Sequence, residues 1–326
     1  MMTEPIDIAD PPQEELVALT VERSTPFILM SDVAPQPVEW LWQERIALGE
    51  LTLADGDPGT NKSTMTLDIA ARVSTGKEMP DGTPGVKGGV LLLSVEDSLR
   101  KTLPHRLKAA GADMSRVAVV NRPMSIPKDL GLLEEAAVRV KARLLVIDPL
   151  MFFLGGNSNG DQSVRQALIP LKELAERSNM AVLLIRHLNK SGNKHAMFRG
   201  SGSVGIIGTT RSGLLIGHDP EDPNMRVLCQ YKNNLGPLAP SLLFEPITVD
   251  GTVAIRWRGE CDYGPTDLLT PGSGTGHKLE KAKNLLIALL MNGPLPQTQV
   301  EAKAAGDGIA GKTLERAKDA LVISDN

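Results

Sequence analysis

Aromatic residues make up only 3% of this chain of 326 residues, so a large core must be built from aliphatic side chains. Hydrophobic residues reach 41%, enough for a sizeable core, and the length of 326 residues suits one large domain with a small appendage, or two domains. Only two cysteines are present, Cys229 and Cys261, and their separation matches neither a metal-binding nor a redox spacing. We expect both to be reduced thiols, as in a cytoplasmic protein.

The sequence also lacks a long apolar run and an excess of positive charge. No stretch reaches the roughly 18 apolar residues of a membrane span, and the acidic, proline-containing start does not match a secretory signal peptide. The formal net charge is −4 at pH 7. This value argues against a surface that binds nucleic acid all round, but it allows a local basic loop or channel. We therefore expect a cytoplasmic protein with no membrane partner.

Four regions follow one another along the chain. Residues 1–35 are polar and acidic, which predicts a flexible arm. In residues 36–263, apolar runs alternate with helical patterns, which predicts an α/β domain with a mainly parallel sheet and antiparallel strands added at one edge. Residues 264–277 have the composition of a linker. Residues 278–326 predict three short helices, either a helix-turn-helix-like module or a plain helical cap.

The segment ADGDPGTNKSTMT, residues 54–66, nearly matches the phosphate-binding pattern G-x-x-x-x-G-K-[ST]. It follows a predicted strand and opens a predicted helix, where backbone N–H groups and the helix N-terminus can hold phosphates. In this pattern Lys62 reaches the outer phosphates and Ser63 is a ligand of Mg²⁺. The candidate nucleotide-binding residues form one continuous loop: Gly56, Asp57, Pro58, Gly59, Thr60, Asn61, Lys62, Ser63 and Thr64.

Asn61 stands where the pattern has its second glycine. Glycine is used there because the backbone must adopt an unusual conformation close to the ligand. Asn is the residue other than glycine that best tolerates the left-handed region, although its side chain could crowd a phosphate. The loop by itself is therefore compatible with a working site, a weakened site or a chance glycine-rich turn.

Three further strand ends carry polar residues. Asp148 ends the strand RLLVIDPL and is placed to hold the Mg²⁺ shell. Glu96 follows GGVLLLS and could act as a general base on the attacking water. His187 ends the strand MAVLLIRHL and could sense the γ-phosphate. Each could alone be an ordinary strand-end residue, but ligands of open α/β sheets bind where the strand ends meet.

Two arginines lie in the Gly/Ser-rich stretch FRGSGSVGIIGTTRSG. Phosphoryl transfer is strongly accelerated by an arginine at the γ-phosphate, often supplied by a neighbouring subunit. Arg211 is the better candidate for that role, whereas Arg199 also fits an ordinary surface residue. An arginine supplied in this way would require an oligomer.

In this order, these motifs resemble those of the RecA-like ATPases, and within them the RepA-type hexameric replicative helicases of plasmids, phages and mobile elements. The resemblance covers about residues 36–260. It is carried by WLWQERIALGELTLADGDPG, GGVLLLSVED, HRLKAAGAD, VIDPL, IRHLNKSG and FRGSGSVGIIGTTRSGLLI. It implies a three-layer RecA-like core, ATP and Mg²⁺ as cofactors, and a hexameric ring that works with replication proteins.

The resemblance also implies a role for each matching residue. Lys62 and Ser63 would bind phosphate and Mg²⁺, with Asp148 as the second metal ligand. Glu96 would be the catalytic carboxylate, and His187 would couple the nucleotide state to the DNA-facing loops. The remaining matches are Arg106 near the nucleotide, Arg211 as the arginine finger and Lys232 as a second cation acting in trans. Asn61 departs from the family pattern and puts the turnover rate in question.

In RecA-like rings the loops after the Asp148 and His187 strands face the central channel. The second loop, residues 189–202, carries the candidate DNA-binding residues Lys190, Lys194 and Arg199. Six copies would form a basic ring that contacts phosphates without regard to sequence. The alternative is a solvated loop with no partner.

The sequence as a whole predicts an ATP-dependent single-stranded DNA translocase or helicase in replication, with hydrolysis at subunit interfaces. Asn61 and the C-terminal helices favour a rival, an ATP-switched DNA-binding regulatory or scaffold protein with weak hydrolysis. A metabolic kinase is a third interpretation, but no lid or acceptor-site motif supports it.

Overall fold

The structure, a computed structural model, describes residues 28–156, 160–188, 202–269, 274–291, 293–309 and 311–321. Lys190, Lys194 and Arg199, and most of the predicted N-terminal arm, lie outside these described residues. The chain divides into two compact units, Met1–Pro37 and Val38–Asn326. The described part of the first unit contains a 3₁₀ turn at Met30–Asp32.

A nine-stranded sheet organises the second unit. Across the sheet its strands are β11 (Thr252–Cys261), β10 (Ser241–Val249), β9 (Arg226–Asn233), β8 (Ser212–His218), β3 (Leu51–Gly56), β7 (Ala181–His187), β6 (Ala142–Asp148), β4 (Gly89–Ser94) and β5 (Val117–Val119). Two shorter strands that precede β3 pair with each other, β1 (Trp40–Trp42) and β2 (Ile46–Ala47).

The six strands from β8 to β5 are parallel, and β9, β10 and β11 extend the sheet as antiparallel strands at one edge. This confirms the predicted mainly parallel α/β fold with antiparallel additions. The parallel strands come from continuous apolar runs because helices cover both faces of the sheet. In β4 (GVLLLS), for example, the first five residues are buried.

Ten helices are present in the described part of the chain, and they follow the order expected for crossover connections. Their bounds are α1 (Lys62–Thr75), α2 (Leu103–Ala109), α3 (Leu130–Val140), α4 (Leu150–Phe153), α5 (Asp161–Ser178), α6 (Gly205–Thr209), α7 (Pro265–Leu269), α8 (Gly274–Leu290), α9 (Gln297–Gly306) and α10 (Gly311–Leu321). The interval predicted as a linker, 264–277, thus contains the whole of α7 and the start of α8.

Each face of the sheet has its own aliphatic core. On one face, α3, α5 and α6 pack on side chains such as Leu53 and Ile147. On the other face, α1 and α2 pack on side chains such as Ala54 and Val146. Each fully buried Leu, Ile or Val contributes roughly 1.5–3 kcal/mol. The result is a three-layer arrangement of helices, sheet and helices.

The three C-terminal helices share a small core of their own, formed by Ala282, Leu286, Val300, Ala304, Ile309, Leu314 and Ala317. Their number matches the three helices expected from the sequence. Among the described residues, no helix is both long and apolar enough to span a membrane.

Candidate nucleotide-binding site

The loop between β3 and α1 is shaped by two glycines. A Cβ on Gly56 would lie 2.4 Å from the carbonyl oxygen of Ile216, so the backbone of β8 leaves no room for a side chain there. Gly59 has φ 82°, a left-handed value that side chains disfavour. Thr60 closes the turn by donating its hydroxyl to the Asp57 carbonyl at 2.8 Å. The loop is therefore a fixed turn between a buried strand and a helix.

Asn61 adopts the left-handed conformation, with φ 65° and ψ 27°. It precedes the first residue of α1, and its carbonyl accepts the Met65 N–H at 2.9 Å. Asn is among the few residues that take this left-handed conformation at little cost, and glycine takes it as readily. The departure from the pattern is accommodated in the backbone of the loop.

Lys62 is 4% exposed and turns back over the loop. Its ammonium donates to the carbonyls of Gly56 and Asp57, both at 2.8 Å. Burial lowers the pKa of Lys62, while Asp148, Asp57 and Glu96 oppose that shift. The ammonium is thus held at the mouth of the loop by carbonyl oxygens and by surrounding carboxylates.

Ser63 and Asp148 meet at the end of β6. Burial raises the pKa of Asp148, and a side-chain hydrogen bond with Ser63 opposes the shift. Both residues line one small cavity with Thr66 and Asp97. Among the described residues, Asp148 Oδ1 is buried without a hydrogen-bond partner. A hydroxyl and an unpaired carboxylate oxygen are therefore presented side by side.

Glu96 and His187 face each other across the mouth of the site. His187 Nε2 lies 3.3 Å from Glu96 Oε1, and both side chains are partly exposed. Gly56 and His187 are register partners on β3 and β7, and Ser94 and Asp148 are partners on β4 and β6. The polar ends of four neighbouring strands, β3, β7, β6 and β4, therefore meet at one edge of the sheet.

Arg106 lies on α2 and pairs with Asp97 at 3.0 Å. Asp97 is the residue after Glu96, and its side chain is only 10% exposed. The sequence places both acids at this strand end, but only Glu96 was predicted to have a role and none was assigned to Asp97. Two adjacent acids after an apolar strand, with a basic residue on the next helix, were the signal that could have identified it.

Arg211 lies at the amino-terminal ends of the parallel strands, opposite the carboxyl ends that carry the nucleotide loop. It directly precedes β8, and its N–H donates to the carbonyl of Leu51, the first residue of β3, at 3.0 Å. At about 3.3 Å per residue, the length of β3 puts roughly 16 Å between Leu51 and Gly56. Arg211 Nε is 3.8 Å from Glu50 Oε1. The structure thus separates Arg211 from the loop of its own chain.

Lys232 lies beside Arg211, at the end of β9. Its ammonium donates to the carbonyls of Ile207 and Thr210. Burial lowers the pKa of Lys232, and the charge of Arg211 adds to this shift. The cations Arg211 and Lys232 thus lie close together at the end of β8 that is away from the nucleotide loop.

The donor set at the loop suits Mg²⁺ bound together with nucleotide phosphates. Within the described ranges, no three His, Cys, Asp or Glu residues form a cluster that could hold a metal unaided. Mg²⁺ prefers oxygen ligands and is commonly held by one or two protein oxygens together with phosphates and water. Ser63 and the unpaired oxygen of Asp148 meet that requirement.

This fold and this loop define a protein with a RecA-like P-loop core. The chain belongs to the AAA domain family, because that family's pattern matches residues 16–193, more than half of the chain. The family match includes the loop, the strands that end at Asp148 and His187, and the strand that precedes Glu96.

The curated proteins that resemble this chain share about a quarter of its residues over the aligned segments. A DNA repair protein RadA from Listeria monocytogenes is 26% identical over 151 residues, covering 44% of this chain and 29% of the relative. The RadA protein of Helicobacter pylori strain J99 is 25% identical over 317 residues, covering 86% of this chain and 64% of the relative. The chain thus spans less than two thirds of the length of these relatives.

A solved structure supports the fold. The structure of a DnaB-like replicative helicase, described with its interactions with primase, superposes with a TM-score of 0.51 at 13% identity. The superposition covers 69% of this chain and 65% of that one. At this identity the likeness concerns the fold.

Proposed function

We propose that this protein hydrolyses ATP at the interfaces of a ring and uses the energy to move along single-stranded DNA in replication. One observation supports the proposal above all others. Lys62, Ser63, Asp148, Glu96 and His187, which the sequence places on four separate segments, meet at one edge of the sheet. A structural turn would need none of these groups, whereas phosphoryl transfer uses a phosphate-binding lysine, oxygen ligands for Mg²⁺ and a residue that positions the attacking nucleophile.

Each residue has a role in the proposed reaction. The loop N–H groups and Lys62 hold the phosphates. Ser63 and Asp148 would hold Mg²⁺, which would supply positive charge to offset the negative charge that develops on the phosphates. Glu96 orients the attacking water and accepts its proton, and His187 holds Glu96 in place through their 3.3 Å contact.

The proposal of a ring comes from Arg211. An arginine that lies about a strand length from its own loop can reach a γ-phosphate only in another subunit. Lys232, beside it, would add a second positive charge to the neighbour's site. A closed ring satisfies this need for every subunit, because each one both gives an arginine and receives one.

The proposed DNA contact uses Lys190, Lys194 and Arg199. These residues follow β7, the strand that ends at His187, so the DNA loop and the site would share one strand. The repair proteins and the helicase to which this chain is similar support a role on DNA. Phosphate contacts of this kind depend on salt and not on base sequence.

The experiment is steady-state ATP hydrolysis by the full chain, with and without single-stranded DNA, for the wild type and Lys62→Ala. A DNA-stimulated rate that Lys62→Ala abolishes would support the motor. A hydrolysis rate that single-stranded DNA leaves unchanged would overturn the proposed motor. Lys141→Ala, an exposed lysine at the end of α3, controls for loss of a positive charge.

The rival is an ATP-switched DNA-binding scaffold. The separate core of α8, α9 and α10 favours it, since a small helical module can bind a duplex independently. It predicts weak hydrolysis and a nucleotide-dependent preference for duplex over single strands. Titration of both DNA forms, with and without an ATP analogue, separates the two.

A further inference from the structure

A buried ion pair lies directly beneath the nucleotide loop. Arg186 Nε and Nη2 donate to the two carboxylate oxygens of Asp55 at 2.7 and 2.8 Å, and both side chains are 1% exposed. The two residues are register partners on β3 and β7. Asp55 precedes Gly56, whose carbonyl binds Lys62, and Arg186 precedes His187. The pair therefore fixes the loop strand to the His187 strand.

A third side chain joins this pair from two strands away. The Tyr231 hydroxyl, on β9, donates to Asp55 Oδ2 at 2.7 Å. β8 lies between β9 and β3, and the tyrosine ring crosses it at Gly213. A Cβ on Gly213 would lie 2.5 Å from the ring carbon Cζ. Glycine at 213 is therefore what allows the hydroxyl to reach the carboxylate.

Tyr231 is also adjacent in sequence to the cations at the amino-terminal ends of the parallel strands. The next residue is Lys232, whose ammonium binds the carbonyls of Ile207 and Thr210, and Thr210 precedes Arg211. A continuous series of contacts thus runs from the nucleotide loop through Asp55 and Tyr231 to these two cations. Ordinary packing does not require a tyrosine to cross a neighbouring strand to reach a carboxylate that is already paired.

We infer that Asp55, Arg186 and Tyr231 form a positioning unit that couples the nucleotide loop of one subunit to the placement of its own Arg211 at the neighbouring site. The inference rests on the proposed hydrolysis at subunit interfaces. Bound phosphates compete with the Gly56 and Asp57 carbonyls for the Lys62 ammonium. The loop strand then shifts, and Asp55 transmits the shift to Tyr231 and the segment around Lys232, because close-packed protein interiors transmit strain.

The test uses the full-length oligomer and Tyr231→Phe, which removes the hydroxyl and keeps the ring. Tyr263→Phe is the matched control, because the Tyr263 hydroxyl also binds a carboxylate, that of Asp219. Gly213→Ala is a second variant that displaces the ring and leaves the three members unchanged. Thermal unfolding identifies any variant that fails to fold.

Two readouts report coupling between subunits. The first is the equilibrium binding isotherm of a fluorescent, non-hydrolysable ATP analogue. The second is the ATPase rate of oligomers coexpressed with increasing fractions of Lys62→Ala subunits. We expect cooperative binding and a steep loss of rate for the wild type and Tyr263→Phe. For Tyr231→Phe and Gly213→Ala we expect a Hill coefficient near 1, a loss of rate in proportion to dosage, and a half-saturation concentration within about twofold of the wild type.

Three results would overturn the inference. The first is a Tyr231→Phe protein as cooperative as the wild type. The second is an equal loss of cooperativity in Tyr263→Phe, which would indicate a general loss of rigidity. The third is a wild type that binds and hydrolyses without cooperativity, because no coupling would then exist. A wild type with no Lys62-dependent hydrolysis would instead overturn the proposed function, and the binding isotherm would still decide on the coupling.

Discussion

Glu96 Oε1 lies 3.3 Å from His187 Nε2, and this contact joins two strand ends that are 91 residues apart in sequence. The Glu96 side chain is 47% exposed, and its negative charge acts on the Lys62 ammonium. We propose that Glu96 acts as the general base.

Glu96→Gln tests that assignment. Because the amide cannot accept a proton, we expect the hydrolysis rate to fall by roughly 10²–10⁴-fold, with little change in affinity for an ATP analogue. Stopped-flow or coupled assays of hydrolysis, with binding measured separately, check it. Glu245→Gln is the control, since Glu245 pairs with Arg256 and Arg258 on the antiparallel strands. A Glu96→Gln enzyme with the wild-type rate would rule out this role.

We predict that Asn61 is tolerated because its backbone can adopt the left-handed conformation, and that its side chain is not required. At φ 65°, Asn61→Val should destabilise the fold by about 1–2 kcal/mol relative to Asn61→Gly, because a β-branched residue disfavours this conformation. Urea unfolding measures the difference. We expect Asn61→Gly to hydrolyse ATP at least as fast as the wild type.

Lys141→Gly is the control for that comparison, since Lys141 has φ 52° at the end of α3. Lys141→Gly should raise stability, because glycine takes this conformation without strain, but it should leave hydrolysis unchanged. Equal stability of Asn61→Val and Asn61→Gly would contradict the backbone argument.

Arg211 is expected to act on a neighbouring subunit. Arg211→Ala should lower hydrolysis by roughly 10³-fold or more while nucleotide binding persists. Mixed oligomers of Arg211→Ala and Lys62→Ala should then recover activity, because some sites combine an intact loop with an intact arginine. Arg256→Ala, an exposed arginine on β11, controls for the loss of charge. Failure of every mixture to recover activity would argue against a role in trans.

Asp148 should make the nucleotide-free protein less stable at neutral pH than an uncharged side chain of the same size would. Burial raises its pKa above the ordinary value of 3.8, so folding favours the protonated form. That contribution to stability is complete at acidic pH and is lost as the pH rises through the raised pKa. Asp148→Asn should therefore raise the melting temperature at pH 7, and by less at pH 4, while hydrolysis is lost.

Glu134→Gln provides a control of opposite sign. Its hydrogen bond with Arg177 lowers the pKa of Glu134, so the stability it supplies is present at neutral pH and lost on acidification. We expect Glu134→Gln to lower the melting temperature at pH 7 or leave it unchanged. Melting curves across this pH range compare the two variants. A destabilised Asp148→Asn at pH 7 would contradict the burial argument.

Single-stranded DNA binding should depend on Lys190, Lys194 and Arg199. Replacing all three with alanine should reduce the slope of log affinity against log salt by about 2, since each phosphate contact in a single strand contributes about 0.7. Fluorescence anisotropy over a salt series measures the slope. The triple variant Lys141→Ala, Arg256→Ala and Arg258→Ala removes the same charge elsewhere and should keep the slope. An unchanged slope in the first variant would place DNA on another surface.

The order of the elements and the identity of the loop could be predicted from the sequence, because both are encoded locally. Apolar runs alternating with helical patterns indicate a parallel sheet, and parallel strands end at one edge. That reasoning placed Glu96, Asp148 and His187 near the loop. It was less informative for residues 264–277, where short polar segments do not distinguish a linker from the helices α7 and α8.

The sequence by itself determined that a phosphate-type loop lies between a buried strand and a helix, and that Asn61 could take the place of glycine. Only the tertiary structure decided that β3, β7, β6 and β4 are neighbours, that Arg211 lies a strand length from its own loop, and that Tyr231 reaches Asp55 across Gly213. Strand order results from burying both faces of the sheet at once. It depends on contacts between distant segments that no local pattern contains.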